Sequence, residues 1–130
     1  MSVQLNHTIV HATDKKASAD FLATLLGLEV QPQYGPFIPV VTGNEVALDF
    51  ADAGDGPITP QHYAFIVSED EFDAIFGRIK DSKITYYADP HRQRPGEINH
   101  NDGGRGVYWS DPDGHILEII TRPYGSGSGS

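Results

Sequence analysis

Residues 111–120 read DPDGHILEII, a tight turn followed by an apolar strand with one acidic residue. Proline fixes the first corner of such a turn and glycine accepts a positive φ, which is typical of a hairpin between two strands. Glu118 shares a strand face with Ile116 and Ile120. Burying an unpaired charge is costly, so this carboxylate needs a partner inside the protein or water at a sheet edge. The stretch therefore predicts a strand whose acidic residue has a specific partner, of which a divalent metal is the strongest.

The same order of elements is predicted twice along the chain. The first half contains a strand, a helix and three extended segments, over residues 5–12, 14–26, 29–33, 37–41 and 46–51. The second half repeats this order, over residues 61–67, 68–81, 84–88, 106–110 and 116–121. Each half is a β-α-β-β-β module, so we predict an α+β fold built on an internal repeat.

The length of 130 residues corresponds to one domain. We predict a single domain over residues 1–124, with modules at about 5–56 and 61–122. The last six residues, 125–130, read GSGSGS, a composition that predicts a flexible tail.

Composition excludes several classes of function. The chain has 18 acidic and 9 basic residues, a net charge of −9, which argues against nucleic-acid and anionic-membrane partners. No apolar run approaches the ~20 residues of a membrane span. The absence of cysteine excludes disulfides, thiolate catalysis and cysteine-based zinc sites. The first residues lack the pattern of a secretory signal, so we expect a cytoplasmic protein.

Aligning the two modules pairs residues of similar chemistry. His7 falls opposite His62 on the first strands, and Asp49 falls opposite Glu118 on the last strands. Two imidazoles and one carboxylate, with positions left open, form a ligand set for Fe(II), Mn(II), Ni(II) or Zn(II). From the residues alone, two alternatives stay open. The histidines could be structural or surface residues, and Glu118 could form a salt bridge.

Three motifs in this order resemble those of the vicinal oxygen chelate superfamily: LNH at 5–7, HYAF at 62–65 and DPDGHILE at 111–118. This superfamily includes glyoxalase I, fosfomycin-resistance enzymes, extradiol dioxygenases and bleomycin-resistance proteins. The resemblance implies a cupped half-barrel of two paired modules, with His7, His62 and Glu118 as metal ligands. It also implies a homodimer with shared sites, in which His7 of one chain joins His62 and Glu118 of the other.

The resemblance implies roles for three further residues. Asp49 corresponds to a carboxylate that glyoxalase-like members use as a metal ligand, and it could instead contact the substrate. Tyr108 corresponds to a tyrosine that faces the substrate, where a phenol can hydrogen-bond or protonate a bound oxygen. His100 lies near a region where extradiol dioxygenases carry a histidine, one residue from the expected spacing. We predict Tyr108 and His100 as the catalytic residues.

The longest irregular stretch spans residues 89–105 and is rich in glycine, proline and charge. A long loop in a small domain is commonly functional, so we expect a lid over the site. Arg92 and Arg105 supply positive charge in an acidic protein, which suggests an anionic or polar substrate; simple solvation of the loop is the alternative.

Three functions compete. We favour an Fe(II) extradiol-type ring-cleaving dioxygenase acting on a small substrate with adjacent oxygens. The first alternative is a glyoxalase-like isomerase, lyase or hydrolase with Zn, Ni or Mn. The second is a metal-free drug-binding protein of the bleomycin-resistance type. A fosfomycin thiol transferase is less favoured, because Ile9 stands where those enzymes carry threonine and residues 99–106 lack their cation loop.

Overall fold

The computed structural model describes residues 2–127 and divides into two compact units between Thr59 and Pro60. Each unit contains one α-helix and one β-sheet. The predicted α+β fold with two similar modules is confirmed. Of the predicted tail 125–130, residues 128–130 lie outside the described residues, as does Met1.

The first unit has a three-stranded sheet in the order β1-β3-β2. Its elements are β1 His7–Ala12, α1 Lys15–Leu26, β2 Ile38–Val41 and β3 Ala47–Asp52. The carboxylate of Asp14 caps the helix by accepting from the amides of its second and third residues, and Gly27 ends it with φ 73°. β1 runs parallel to β3, while β2 runs antiparallel to it.

The extended segment predicted over 29–33 is not a strand. Val30 forms an isolated bridge with Val40, and the Gln31 amide donates to the Pro39 carbonyl at 2.9 Å. The next residue is Pro32, which has no N–H to continue a ladder. Proline therefore limits this segment to a short contact with β2.

The second unit has a four-stranded sheet in the order β4-β7-β6-β5. Its elements are β4 His62–Ile66, α2 Glu69–Asp81, β5 Tyr86–Tyr87, β6 Gly106–Ser110 and β7 Ile116–Ile120, with a 3₁₀ helix at Asn101–Gly103 before β6. β4 runs parallel to β7, and β6 runs antiparallel to it. The central position of β7 places its residues between two hydrogen-bonded neighbours.

The helix α2 begins with the predicted capping box. Ser68 accepts from the Glu71 amide, and the Glu71 carboxylate accepts from the Ser68 amide. Its apolar stripe buries three residues, Phe72, Ile75 and Ile79. No helix within residues 2–127 is long and apolar enough to cross a membrane.

Strand register confirms the correspondence between the two modules. In the first unit Ile9 pairs with Asp49, and in the second unit Ala64 pairs with Glu118. His7 and His62 each stand two residues before the residue that pairs with the carboxylate. The sequence alignment of His7 with His62, and of Asp49 with Glu118, therefore agrees with the strand register of the two sheets.

Candidate metal centre

Glu118 is a fully buried acidic side chain in the middle of a sheet, with a relative exposure of 0%. It lies on β7, directly opposite Tyr108 of β6 and Ala64 of β4. Residues two apart on a strand share a face, so His62 projects from the same face of the sheet. The apolar residues on either side of Glu118 form the strand, and the carboxylate depends on polar partners from neighbouring strands.

His62 supplies the first of these partners. Its Nε2 lies 2.9 Å from Oε1 of Glu118. An ionised carboxylate only accepts hydrogen bonds, so the imidazole N–H donates to it. The His62 side chain is 44% exposed, whereas that of Glu118 is 0% exposed. The pair therefore joins a buried anion to a ring that solvent and small molecules can reach.

The geometry of this pair fits a divalent metal. Two ligands that each lie about 2.1 Å from one ion, at a right angle to each other, are about 3.0 Å apart. The 2.9 Å between Nε2 of His62 and Oε1 of Glu118 is an ordinary hydrogen-bond distance, and it is also compatible with that separation. An imidazole nitrogen and a carboxylate oxygen are also donors that Fe(II), Mn(II) and Zn(II) accept. With the imidazole nitrogen deprotonated, these two residues could act as ligands of one ion.

The second oxygen of Glu118 is held by a tyrosine that we did not predict. The Tyr124 hydroxyl donates to Oε2 of Glu118, and the Tyr108 hydroxyl lies 2.7 Å from that of Tyr124. Burial, hydrogen bonding to Tyr124 and the charge of Glu118 together raise the pKa of Tyr108. Burial and the Glu118 carboxylate likewise raise the pKa of Tyr124. Both phenols are therefore protonated at neutral pH.

Sequence patterns alone did not reveal Tyr124 because it follows the last strand and belongs to no periodic element. The available sequence signal for Tyr124 lies in its immediate neighbours. Pro123 and Gly125 flank Tyr124, and such flanking residues favour a turn. A turn just after β7 returns the chain toward that strand.

The first unit holds the remaining predicted ligands. His7 is exposed at the start of β1, where its Nδ1 lies 2.8 Å from Oδ1 of Asn6. Asp49 is half-buried on β3. Within residues 2–127, the structure shows no group of three or more His, Asp or Glu side chains arranged to hold an ion. The structure thus brings His62 and Glu118 together, and the third ligand stays a prediction.

The loop that precedes β6 is organised by one carboxylate. Asp89 accepts from three backbone amides, those of His91, Gln93 and Arg94. Desolvation opposes ionisation of Asp89, but these hydrogen bonds outweigh it and hold its pKa below the usual value. Arg92 has a positive φ of 59° and donates to the Ser110 hydroxyl at 3.1 Å. The predicted irregular stretch therefore begins with a turn that its own side chains stabilise.

The loop rejoins the sheet through Asn99, which is buried and forms a bridge with Gly106. A Cβ at Gly106 would lie 2.8 Å from Oδ1 of Asn99, so the close approach requires glycine. The side-chain amide of Asn99 also donates to the Ala88 carbonyl at 2.9 Å. The neighbouring His100 is exposed, and its predicted catalytic role stays a prediction.

Arg105 contacts the helix α2. Its guanidinium donates to the carboxylates of Glu69 and Asp73, each at 2.8 Å. The same group lies over the Phe72 ring, 4.4 Å from its centroid. These contacts hold α2 against the end of the loop. They engage the guanidinium that the sequence analysis assigned to substrate binding.

Comparison with known proteins adds a decisive observation to this geometry. Residues 4–119 match the family model described as "Glyoxalase/Bleomycin resistance protein/Dioxygenase superfamily". The chain belongs to this superfamily. The match covers both modules, so the resemblance to the vicinal oxygen chelate superfamily is confirmed.

Three relatives are named for two kinds of chemistry, oxidation and group transfer. The solved structure of "Oxidase ChaP-H2" has a TM-score of 0.95 and 71% sequence identity, covering 98% of this chain and 100% of that chain. "Glutathione transferase FosA" of Serratia marcescens is 30% identical, covering 92% of this chain and 81% of the relative. "Metallothiol transferase FosB" of Lysinibacillus sphaericus (strain C3-41) is 28% identical, covering 93% of this chain and 84% of the relative. An oxidase and two transferases are thus similar to this member of the superfamily over most of its length.

Proposed function

We propose that the chain is a metal-dependent enzyme of the vicinal oxygen chelate type that acts on a small substrate with adjacent oxygens. The observation that carries this proposal is the buried carboxylate of Glu118 with Nε2 of His62 at 2.9 Å from its Oε1. A fully buried carboxylate on a central strand needs a strong partner, and a metal beside His62 would supply it.

The proposed ligand set is His62, Glu118 and the partner subunit's His7. The equivalent register of the two modules supports it, because His7 occupies in the first sheet the position of His62 in the second. When bound, a divalent ion supplies chelation of two adjacent substrate oxygens and stabilisation of the anion that forms. In this proposal the enzyme is a cytoplasmic homodimer.

The side chains around the centre have distinct proposed roles. Tyr108 stands directly opposite Glu118, and its raised pKa keeps the hydroxyl protonated. Its proton, which Tyr124 accepts in the structure, is proposed to turn to a substrate oxygen when substrate binds. The exposed ring of His100 is proposed to exchange protons with the substrate. Asp49 and Arg92 are proposed substrate contacts. Arg105 is left out, because Glu69 and Asp73 already engage its guanidinium.

The reaction that we favour is the Fe(II)-dependent, extradiol-type cleavage of a catecholic ring by O₂. The likeness to an oxidase at 71% identity supports oxidative chemistry over group transfer. The 28–30% identity to thiol transferases carries less weight, since residue 9 is isoleucine where fosfomycin enzymes carry threonine.

One observation favours a second candidate, a glyoxalase-like isomerase, lyase or hydrolase. Asp49 occupies in the first sheet the register position that Glu118 occupies in the second. A second carboxylate ligand would suit Zn, Ni or Mn. The two candidates differ in whether O₂ is consumed.

Oxygen uptake distinguishes these reactions. Protein loaded anaerobically with Fe(II) and then exposed to O₂ is expected to consume it only when a catechol is present. The Glu118→Gln variant, which keeps the shape of the side chain but loses its charge, is expected to show no catechol-dependent uptake. Bound metal without uptake across a panel of catechols would overturn the dioxygenase in favour of isomerase or lyase chemistry. Failure to bind any ion would favour a drug-binding protein.

A further inference from the structure

The segment after β7 places a side chain against the candidate metal centre. Tyr124 lies six residues beyond Glu118 and contacts it through the phenolic hydroxyl. The residue is 56% exposed, and its hydroxyl is hydrogen-bonded to Glu118 and Tyr108. None of the residues that the sequence or the superfamily resemblance assigned to the site performs this contact.

The hydrogen bonds around Tyr124 have one consistent direction. The carboxylate of Glu118 can only accept, so Tyr124 donates its single hydroxyl proton to Oε2. The Tyr124 oxygen therefore accepts from the Tyr108 hydroxyl, 2.7 Å away. Oε1 is engaged by His62 at 2.9 Å. Each oxygen of the buried carboxylate thus has a hydrogen-bond donor, and these donors hold its plane in one orientation.

Hydrogen bonds between backbone groups and two side chains hold the segment around Tyr124 in place. The amides of Gly125 and Gly127 donate to Oδ1 of Asp102, at 3.1 and 3.2 Å. Arg122 also donates to the Ser126 carbonyl at 2.8 Å. Asp102 belongs to the 3₁₀ helix before β6, where its φ is 57°. The segment is therefore tied to the loop that precedes β6, at the same end of the β6–β7 pair.

We propose that Tyr124 is a positioning residue that holds Oε2 of Glu118 so that Oε1 faces the metal beside Nε2 of His62. This inference rests on the proposed function, because it takes Glu118 to be a metal ligand. Ligating carboxylates are oriented by hydrogen bonds from outside the coordination sphere, and losing such a partner weakens metal binding. Without the hydroxyl, Oε2 is a buried acceptor with no replacement among the apolar residues of β7.

The test compares metal binding by Tyr124→Phe and Tyr34→Phe. Each change removes one hydroxyl, and Tyr34 is a suitable control because it is 77% exposed and lies in the first unit. We use Co(II) as the probe, because calorimetry gives its affinity and its visible absorption reports coordination geometry. Tyr124→Phe is expected to weaken Co(II) binding roughly ten- to hundredfold. At saturating Co(II) its absorption bands are expected to differ from wild type. Tyr34→Phe is expected to match wild type in both measurements.

The outcomes separate this inference from the proposed function. If wild type binds Co(II) and Tyr124→Phe binds it equally well with the same spectrum, the positioning role is wrong and the metal centre stands. Tighter binding by Tyr124→Phe would also overturn it, since the hydroxyl would then compete with the ion. If wild type binds no Co(II), the proposed function fails and the role of Tyr124 toward a ligand fails with it.

Discussion

Replacing His62 with alanine is expected to abolish stoichiometric metal binding. The change removes the Nε2 atom that lies 2.9 Å from Oε1 of Glu118 and leaves the carboxylate without its imidazole partner. Loss of a contact outside the coordination sphere already costs about 10–100-fold in affinity, so loss of a ligand should exceed about 100-fold. Elemental analysis of the purified variant, after Fe(II) or Mn(II) loading and desalting, measures the effect.

A second histidine provides the matched control. His91 is exposed on the loop before β6, and its backbone amide donates to Asp89. His91→Ala is therefore expected to retain the metal content of wild type. One metal ion per chain in His62→Ala would contradict the ligand assignment. Loss of metal in both variants would point to a general defect in folding rather than to a ligand.

Replacing Phe72 with alanine is expected to destabilise the protein by about 3–5 kcal/mol, the usual cost of deleting a buried aromatic side chain. Phe72 has 0% exposure on the inner face of α2. Its ring packs near that of Phe76, 5.7 Å between centroids, and lies beneath the Arg105 guanidinium. Truncation would leave a cavity under the helix and remove the surface on which Arg105 lies. Urea unfolding of the metal-free protein measures the loss.

Phe72→Leu is the matched control for this prediction. Leucine keeps most of the apolar volume and is expected to lose markedly less stability than alanine. A loss below about 1 kcal/mol for Phe72→Ala would contradict the placement of this residue in the core, because core truncations cost more.

The order of elements was predictable from the sequence because local signals agreed with one another. The capping box at Ser68 and the glycine stop at Gly27 marked where α2 begins and α1 ends, and the structure confirms both. The exception is residues 29–33, where an extended composition predicted a strand. Pro32 interrupts the ladder there because it has no backbone N–H to donate. A prediction from extended composition does not account for that missing donor.

The ion-pair partners of the loop's charged residues could not be predicted from the sequence. Positive residues in an acidic protein suggested an anionic substrate, but Arg105 is engaged by Glu69 and Asp73. These carboxylates precede Arg105 by 36 and 32 residues, on a different element. Sequence position alone does not show such pairing, because it depends on how α2 packs beside the start of β6.

The pairing of His62 with Glu118 was predictable because it follows from repeat symmetry and strand register. Tyr124 was not, since it reaches Glu118 from a turn outside any strand. Register determines which residues of neighbouring strands meet, whereas a terminal segment is placed by individual hydrogen bonds. Those bonds, from Gly125 and Gly127 to Asp102, have no signature in composition.

The central claim is that this superfamily member binds a catalytic metal through His62 and Glu118. The most direct test is the metal content of the wild-type chain, purified without chelators or a histidine tag and measured by elemental analysis before and after anaerobic Fe(II) loading. We predict one divalent ion per chain, with iron retained through desalting. A protein that holds no metal even after loading with Fe(II), Mn(II), Zn(II) and Ni(II) would contradict the account.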